Sequence, residues 1–450
     1  MNRQIFREYD IRGIVGEDLT PEMVELLGRG IGTYMIRHDA ARITVGRDGR
    51  NSSPEMLEHL LKGLLSTGLD VTDLGVIPTP LSYYSTHKLA VDGAVMITGS
   101  HNPPEYNGFK VTLGTSSIYG EEIQRIGGII EAGDFVAGDG GSSAYDIKPE
   151  YIADLAGRIS LSRPVTLAVD CGNGVGGLTA APLLHRIGCR PRMLFAEVDG
   201  NFPHHHPDPT VEANLTELKE VVTREGLEIG IAYDGDADRI GVVDEKGGVL
   251  WGDQILAILS RALLEDVPGA TIIGEVKCSQ LLFDDIEKHG GNGLMWKVGH
   301  SLIKNKMHET GAEIAGEMSG HIFYNHRFYG FDDAVYVTCR LLEVLARSDK
   351  PIGRMLEDWP RLYNTPEIRR ECPDDIKFQV VEKVHDHFKK RYRVVDVDGM
   401  RVIMPGGWGL LRASNTQPVV VMRFEAESEI RLDEIRTEVE EILQQVQSSF

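Results

Sequence analysis

Three aspartates at i, i+2 and i+4 stand in Asp234-Gly235-Asp236-Ala237-Asp238-Arg239, separated by the two smallest residues. Such spacers let alternate carboxylates converge, and their mutual repulsion calls for a hard cation, with Mg²⁺ the natural candidate. An EF-hand is the competing reading, because Glu245 holds the twelfth position from Asp234, where a calcium loop places its bidentate glutamate. That reading fails at Arg239, which takes the glycine position. It also fails at the flanks, Ile229-Gly230-Ile231-Ala232 and Ile240-Gly241-Val242-Val243, which read as strands and not helices. A second loop, Thr98-Gly99-Ser100-His101-Asn102-Pro103, follows the apolar run Gly93 to Ile97. Ligands gather beyond the carboxyl ends of strands in open α/β sheets, so Ser100 is placed as a nucleophile, with His101 nearby to activate it. An Asn-Pro turn with a capping serine is the alternative.

Two further loops carry mixed polar groups. Gly316-Glu317-Met318-Ser319-Gly320-His321 offers an acceptor, a hydroxyl and an imidazole suited to sugar hydroxyls, or else forms a solvated glycine-rich turn. Arg412-Ala413-Ser414-Asn415-Thr416 supplies a guanidinium, two hydroxyls and an amide, a set able to grip a phosphate, or else a capped turn with Arg412 in solvent. Two decoys accompany them. Gly172-Asn173-Gly174-Val175-Gly176-Gly177 follows a strand-like run and fits the dinucleotide pattern, with Glu197 about 20 residues on. A tight turn with close helix packing accounts for the same glycines, and three clustered aspartates have no place in hydride transfer. His204-His205-His206 lies between Pro203 and Pro207, where adjacent extended residues point to different sides, so it reads as a polar surface loop and not a metal site.

The chain that must position these loops has 450 residues, beyond one hydrophobic core, and 42% hydrophobic content, enough for several. Strand-like runs alternate with helix-period segments, the pattern of α/β units. One unit is marked at both helix ends: strand-like Ile43 to Val45, Ser53 as N-cap, Pro54 at the first helical position, an amphipathic stretch to Ser66 and Gly68 as the stop. Gly133 to Ser143 reads as a linker. Strands are expected at 272–276 and 294–298, and a helix over 253–264. From about Thr365 the strands 393–397, 401–404 and 419–424, with a final acidic helix over 432–443, predict a smaller α+β domain. Five dispersed cysteines argue against disulfides or a zinc knuckle and fit a reducing cytosol. A net charge of -21 excludes a nucleic-acid backbone as partner, and no apolar run suits a membrane span or a signal segment.

Taken in this order, the four loops resemble those of the α-D-phosphohexomutase superfamily, most closely its bacterial phosphomannomutase/phosphoglucomutase branch. The resemblance runs from Tyr9-Asp10-Ile11-Arg12-Gly13 to Arg412-Ala413-Ser414-Asn415-Thr416. It implies an α/β protein of four domains around a central cleft, the first three of related topology with mixed sheets, the fourth a smaller α+β domain. The expected divisions are 1–143, 144–250, 251–362 and 363–450. By motif, Ser100 would be the phosphoserine, and Asp234, Asp236 and Asp238 would hold one Mg²⁺ with it, beside Arg239. Glu317, Ser319 and His321 would bind sugar hydroxyls, and Arg412, Ser414, Asn415 and Thr416 the non-reacting phosphate. Tyr9, Arg12, Lys110, Lys277 and His300 also match cleft positions, with Lys110, His101 and His300 the expected proton handlers. The activity implied is interconversion of hexose 1- and 6-phosphates of mannose or glucose through a 1,6-bisphosphate, with glucose 1,6-bisphosphate as activator. Met318 and the Arg-Ala-Ser-Asn-Thr loop look like the mannose/glucose branch, since phosphoglucosamine mutases usually show Gly-Glu-Gln-Ser-Gly-His and Ser-Gly-Thr-Glu. A cytoplasmic monomer or weak homodimer acting on small hexose phosphates is expected, with a hinge near Leu362 to Thr365 for turning the intermediate.

Overall fold

The computed structural model describes residues 2–415 and 417–450. Four sheets follow one another along the chain. The first contains β1 (Ile11–Ile14), β2 (Arg42–Arg47), β3 (Asp70–Val76), β4 (Gly93–Ile97), β5 (Tyr106–Leu113), β6 (Ser116–Ser117) and β7 (Ser142–Ala144), ordered β1-β5-β4-β2-β3-β7 with β6 on β5. The second contains β8 (Leu167–Asp170), β9 (Arg192–Leu194), β10 (Ile229–Tyr233), β11 (Ile240–Asp244) and β12 (Val249–Leu250), ordered β12-β11-β10-β8-β9. The third contains β13 (Thr271–Glu275), β14 (Asn292–Trp296), β15 (Ile314–Gly316), β16 (Ile322–Tyr324) and β17 (Phe331–Asp332), ordered β17-β16-β15-β13-β14. The fourth is antiparallel: β18 (Tyr363–Asn364), β19 (Ile368–Glu371), β20 (Arg393–Val395), β21 (Met400–Met404), β22 (Gly407–Ala413) and β23 (Val419–Ala426).

One topology repeats in the first three sheets. A parallel set (β4-β2-β3, β10-β8-β9, β15-β13-β14) is continued by an antiparallel neighbour, β5, β11 or β16. The return from the parallel strand to that neighbour is residues 98–105, 234–239 and 317–321 in turn. Three of the four loops singled out above are therefore the same topological feature, at the carboxyl ends of strands. Strands β4 and β10 are buried along their whole length, which is why they read as continuous apolar runs without alternation.

Helices cover these sheets: α1 (Pro21–Ile36), α2 (Ser53–Leu65), α3 (Thr79–Lys88) and α4 (Glu121–Ala132) with the first; α5 (Lys148–Arg158), α6 (Gly177–Arg186) and α7 (Thr216–Glu225) with the second. Then come α8 (Gly252–Asp266), α9 (Gln280–Lys288), α10 (His300–Thr310) and α11 (Ala334–Arg347), and finally α12 (Lys377–Phe388) and α13 (Glu429–Gln447). A single apolar cluster runs from Leu74, Tyr83 and Tyr84 through the second sheet to Tyr336 and Ile352, while the fourth sheet packs its own core around Phe388, Met400 and Phe424.

Three local expectations change. Ser53 is the first residue of α2 and not its cap; its Oγ donates to Asp48 Oδ1 at 2.8 Å, and Ser52 is the capping position. The 133–143 stretch is held against the first sheet: Gly138 N and Gly140 N donate to Ser66 O and Leu65 O, and β7 pairs with β3. Tyr363 and Asn364 pair with β23, and Thr365 N donates to Phe424 O at 3.0 Å, which fastens the end of the expected hinge to the fourth sheet.

The second and third units meet at Asp333, the N-cap of α11, which accepts from Tyr336 N at 2.9 Å and from Tyr151 Oη of α5 at 3.0 and 2.8 Å. The next residue, Ala334, donates its N–H to Ala237 O at 3.3 Å, in the aspartate loop. Burial pushes the Asp333 carboxyl up from 3.8 to about 7, against the lowering effect of those bonds. An acid raised in the fold binds more protons there than in the unfolded chain, so its contribution weakens as pH rises between those two values and is flat above. In urea titrations this group should add a falling slope to the unfolding free energy across about pH 4 to 7, against the rising slope from carboxylates held low such as Asp154 and Asp285. Asp333→Asn, which keeps an acceptor for the cap, should remove that falling contribution; an unchanged slope contradicts the assignment.

Candidate functional site

The aspartate loop and the serine loop meet. Ser100 Oγ donates to Asp234 Oδ2 at 2.9 Å and lies 3.1 Å from His101 Nδ1. Ser100 adopts φ of 49°, a left-handed conformation that non-glycine residues avoid and that sharp turns impose at functional sites. Its N–H donates to Thr98 Oγ1 at 2.8 Å, and Thr98 in turn donates to Asp236 Oδ2 at 3.1 Å. Thr79, opening α3, donates to the same oxygen at 2.6 Å.

Asp234, Asp236 and Asp238 are each fully buried, with one oxygen apiece lying within 4.8 Å of the others. Burial, then repulsion from Asp238 and Asp236, pushes the Asp234 carboxyl well above the ordinary carboxylate range, and burial with Asp238 raises Asp236. Asp238 goes the other way: burial is outweighed chiefly by the Lys110 ammonium beside it. Lys110 Nζ stands 3.2 Å from Asp238 Oδ2. Asp236 Oδ1 and both oxygens of Asp238 are buried and accept no hydrogen bond from the described residues, the Lys110 contact at Asp238 Oδ2 being an ion pair. Oxygen-only donors with open lone pairs fit a hard divalent cation and suit neither a soft metal nor a structural polar turn.

The sugar loop closes on this centre. His321 Nδ1 lies 2.8 Å from Asp332 Oδ2 and 3.7 Å from Asp238 Oδ1, while its Nε2 accepts from Arg239 Nε at 2.9 Å. Asp332 is also paired with Lys304 at 3.2 Å. Glu317 Oε1 accepts from Gly299 N at 2.7 Å, beside His300, whose ring stacks on His321 at 5.7 Å. Burial, then the nearby Lys110 and Lys304, holds the His300 imidazole well below its ordinary value; burial with Arg239 and Arg12 does the same for His101. Ser319 is half-buried on the same loop.

The fourth loop reaches the others through Tyr9. Asn415 Nδ2 donates to Tyr9 Oη, and Tyr9 Oη to Val298 O, both at 2.8 Å. Arg412 Nε donates to Asp398 Oδ2 at 2.9 Å, which also accepts from Val298 N. Ser414 is buried, and its Oγ accepts from Gln417 N. Lys277 Nζ is 3.2 Å from Glu367, and Arg12 donates to Asn102 Oδ1 at 2.6 Å and pairs with Asp10. Thr416 lies outside the described residues.

The decoys resolve differently. Gly174 abuts Gly235, where an added Cβ would sit 2.6 Å from its carbonyl oxygen, and Val175 N donates to Gly235 O at 3.1 Å. The glycine loop thus backs the aspartate loop. His205 Nε2 lies 3.0 Å from Asp170, and His204 Nδ1 is 2.7 Å from Asn173 Oδ1; the three histidines form no three-ligand group among the described residues. Glu245 follows β11 and accepts from Gly353 N, away from Asp234. Residues that sequence reasoning missed are Asp48, Arg50, Thr79, Lys304, Asp332 and Asp398. A signal existed for the first two, since Asp48-Gly49-Arg50 follows a strand just as the four loops do.

Comparison with known proteins agrees with this arrangement domain by domain. Family models described as phosphoglucomutase/phosphomannomutase alpha/beta/alpha domains I, II and III match residues 3–137, 149–248 and 251–363, and the C-terminal domain of the same family matches 367–442. The chain is 44% identical to a phosphomannomutase/phosphoglucomutase of Pseudomonas aeruginosa over 447 residues, covering 99% of this chain and 96% of that protein. It is 43% identical to a phosphoglucomutase of Neisseria gonorrhoeae, covering 99% and 97%. A crystal structure of a phosphoglucomutase/phosphomannomutase family protein from Burkholderia thailandensis superimposes with a TM-score of 0.94 at 41% identity, covering 99% and 98%. With every domain matched in order and relatives aligned end to end, the chain belongs to the phosphoglucomutase/phosphomannomutase family.

Proposed function

We propose that Ser100 carries the phosphoryl group in the reaction of this family, interconversion of hexose 1-phosphate and hexose 6-phosphate of mannose, glucose or both through a hexose 1,6-bisphosphate. The supporting observation is the 2.9 Å bond from Ser100 Oγ to Asp234, which sets a hydroxyl against three buried carboxylates. Asp234, Asp236 and Asp238 would hold one Mg²⁺ per chain together with phospho-Ser100. Bound there, the ion supplies charge neutralisation on the transferring phosphoryl oxygens.

The chain's own groups do the remaining work. The P–O bond to Ser100 breaks as one forms to the sugar hydroxyl, whose proton needs an acceptor. His300, kept neutral by burial, is suited to that proton, and His101, also neutral and 3.1 Å from Oγ, to the proton that Ser100 exchanges. Lys110 stays cationic because Asp238 and Asp236 outweigh its burial, so it stabilises charge and is no base. Arg239, held by His321, faces the same centre. Glu317, Ser319 and His321 orient sugar hydroxyls; Arg412, Ser414, Asn415 and Thr416, with Tyr9, Arg12 and Lys277, grip the second phosphate. Reversing the bisphosphate returns the other phosphate to Ser100, and glucose 1,6-bisphosphate primes the unphosphorylated enzyme.

The reversal needs the cleft to open at the junction preceding Tyr363, within a division at 1–143, 144–250, 251–362 and 363–450. No helix among the described residues is long and apolar enough to cross a membrane. A cytoplasmic monomer or weak homodimer acting on small hexose phosphates, with neither nucleic acid nor membrane as partner, is the form we propose from the family resemblance; the charge of -21 disfavours a nucleic-acid backbone.

Incubation with glucose 1,6-bisphosphate and Mg²⁺ should add one phosphate, located on Ser100 by peptide mass analysis. Ser100→Ala should gain none and lose turnover by roughly 10⁴-fold or more; a phosphate found on another residue refutes the assignment. Chelation should abolish activity and added Mg²⁺ restore it, and Asp238→Asn should raise the Mg²⁺ needed for half-maximal rate by more than about tenfold. An unaltered Mg²⁺ dependence in that variant would remove Asp238 from the ligand set.

A further inference from the structure

Behind the Ser100 loop lies a guanidinium with every donor engaged. Arg50 is 2% exposed. Its Nε donates to Asp48 Oδ2 at 3.2 Å, one terminal nitrogen to Pro103 O and Tyr106 O at 2.6 and 3.0 Å, and the other to Ser100 O and Asn102 O at 2.8 and 2.6 Å. Those are the five N–H groups a guanidinium possesses, four of them spent on main-chain carbonyls of one loop. Asp48 completes the frame, its Oδ2 also accepting from Gly99 N at 3.1 Å. Gly99 is glycine for a matching reason: a Cβ there would stand 2.5 Å from Arg50 Cζ. The second unit seals the arrangement. Phe202 lies over the guanidinium, 5.4 Å from ring centre to Cζ, and Gly200 packs on the Arg50 backbone.

We propose that Arg50 is a positioning residue for phosphoryl transfer: its fork fixes the carbonyls of residues 100 to 106 and thereby holds Ser100 in the left-handed turn that aims Oγ at Asp234. This rests on Ser100 being the nucleophile. With all five donors engaged by Asp48 and the loop carbonyls, Arg50 has none left for a ligand, so its hydrogen bonds act through the loop. Four carbonyls in a semicircle demand a planar, multidentate donor, which a lysine ammonium with three donors at one point does not reproduce. Loss of the fork therefore loosens the nucleophile while leaving the sugar contacts and the three aspartates in place.

The test is Arg50→Lys in the full chain, with circular dichroism and melting temperature on the same samples. Expected are a kcat about 100-fold lower, matching slow loading of Ser100 from glucose 1,6-bisphosphate, and a hexose 1-phosphate KM within about threefold of the parent. A kcat within about threefold of the parent, a loss confined to KM, or a loss no larger than the unfolded fraction overturns the proposal. Should Arg50→Lys fail to fold, Gly99→Ala displaces the guanidinium with all its donors present, and is expected to cost kcat at least about tenfold; parent-like kcat there also overturns it. Ser100→Ala alongside separates the two readings. Phosphate uptake surviving in Ser100→Ala overturns the nucleophile and the clamp together, whereas uptake lost there with Arg50→Lys unimpaired overturns the clamp alone.

Discussion

Three carboxylates occupy one volume from which water is excluded, and the fold around Ser100 is a set of answers to the cost of that arrangement. A buried anion is tolerated only when paired, hydrogen-bonded, neutralised or bound to a metal. Each aspartate takes a different course. Asp238 is matched by Lys110 and flanked by His321; Asp236 accepts from Thr79 and Thr98; Asp234 accepts from Ser100 and from the Arg239 amide. The compensation is incomplete, since among the described residues Asp236 Oδ1 and Asp238 Oδ1 accept no hydrogen bond, and these open oxygens suit a cation better than a polar turn. The donors come from three units of the chain, so the same electrostatics that prepare the centre for phosphate also draw the units together.

The repeated topology explains how separate units place their loops with such accuracy. In each of the first three sheets the return from a buried parallel strand to its antiparallel neighbour delivers the functional residues, and such a return is anchored at both ends by strand pairing. Backbone-to-backbone contact then sets the spacing between loops. Gly174 lies against Gly235, Gly320 accepts from Ile240 N, and Gly235 sits close to the Ser100 carbonyl; a side chain at any of these glycines would push one loop off another. The pattern read as a dinucleotide fingerprint is part of this masonry, and its glycines serve packing, not a ligand.

The sequence disclosed the loops because each packs its chemistry into about six neighbouring residues after an apolar run. The succession of α/β units and the smaller C-terminal unit were legible for a related reason, since strands such as β10 are apolar throughout and α13 sets Ile435, Val439 and Leu443 on one buried face. What escaped were partners distant along the chain. Tyr151 meets Asp333 across 182 positions, Thr79 meets Asp236 across 157, and nothing local to either residue foretells the other. Ser53 was misjudged by a local rule: a serine before proline suits an N-cap, yet a longer-range acceptor, Asp48, claims its hydroxyl. The 133–143 stretch does lie between the first and second units, but composition did not show that its glycines also approach residues 67–69 closely.

Arg50 and Arg239 show how identical side chains take different parts around one centre. Arg239 spends its Nε on His321, whose other nitrogen is occupied by Asp332, so the imidazole is fixed in tautomer and serves to orient the arginine toward the cleft. Arg50 spends everything on carbonyls and on Asp48 and keeps no donor for a ligand. A guanidinium is always charged and has a rigid fork, so its function is decided by how many of its five donors the fold consumes. Where all are consumed the residue is architecture; where some remain, facing a cleft built for anions, it belongs to the chemistry. The distinction follows from hydrogen-bond accounting, and it is the ground on which Arg50 is proposed as a positioning group and Arg239 as one that faces the substrate.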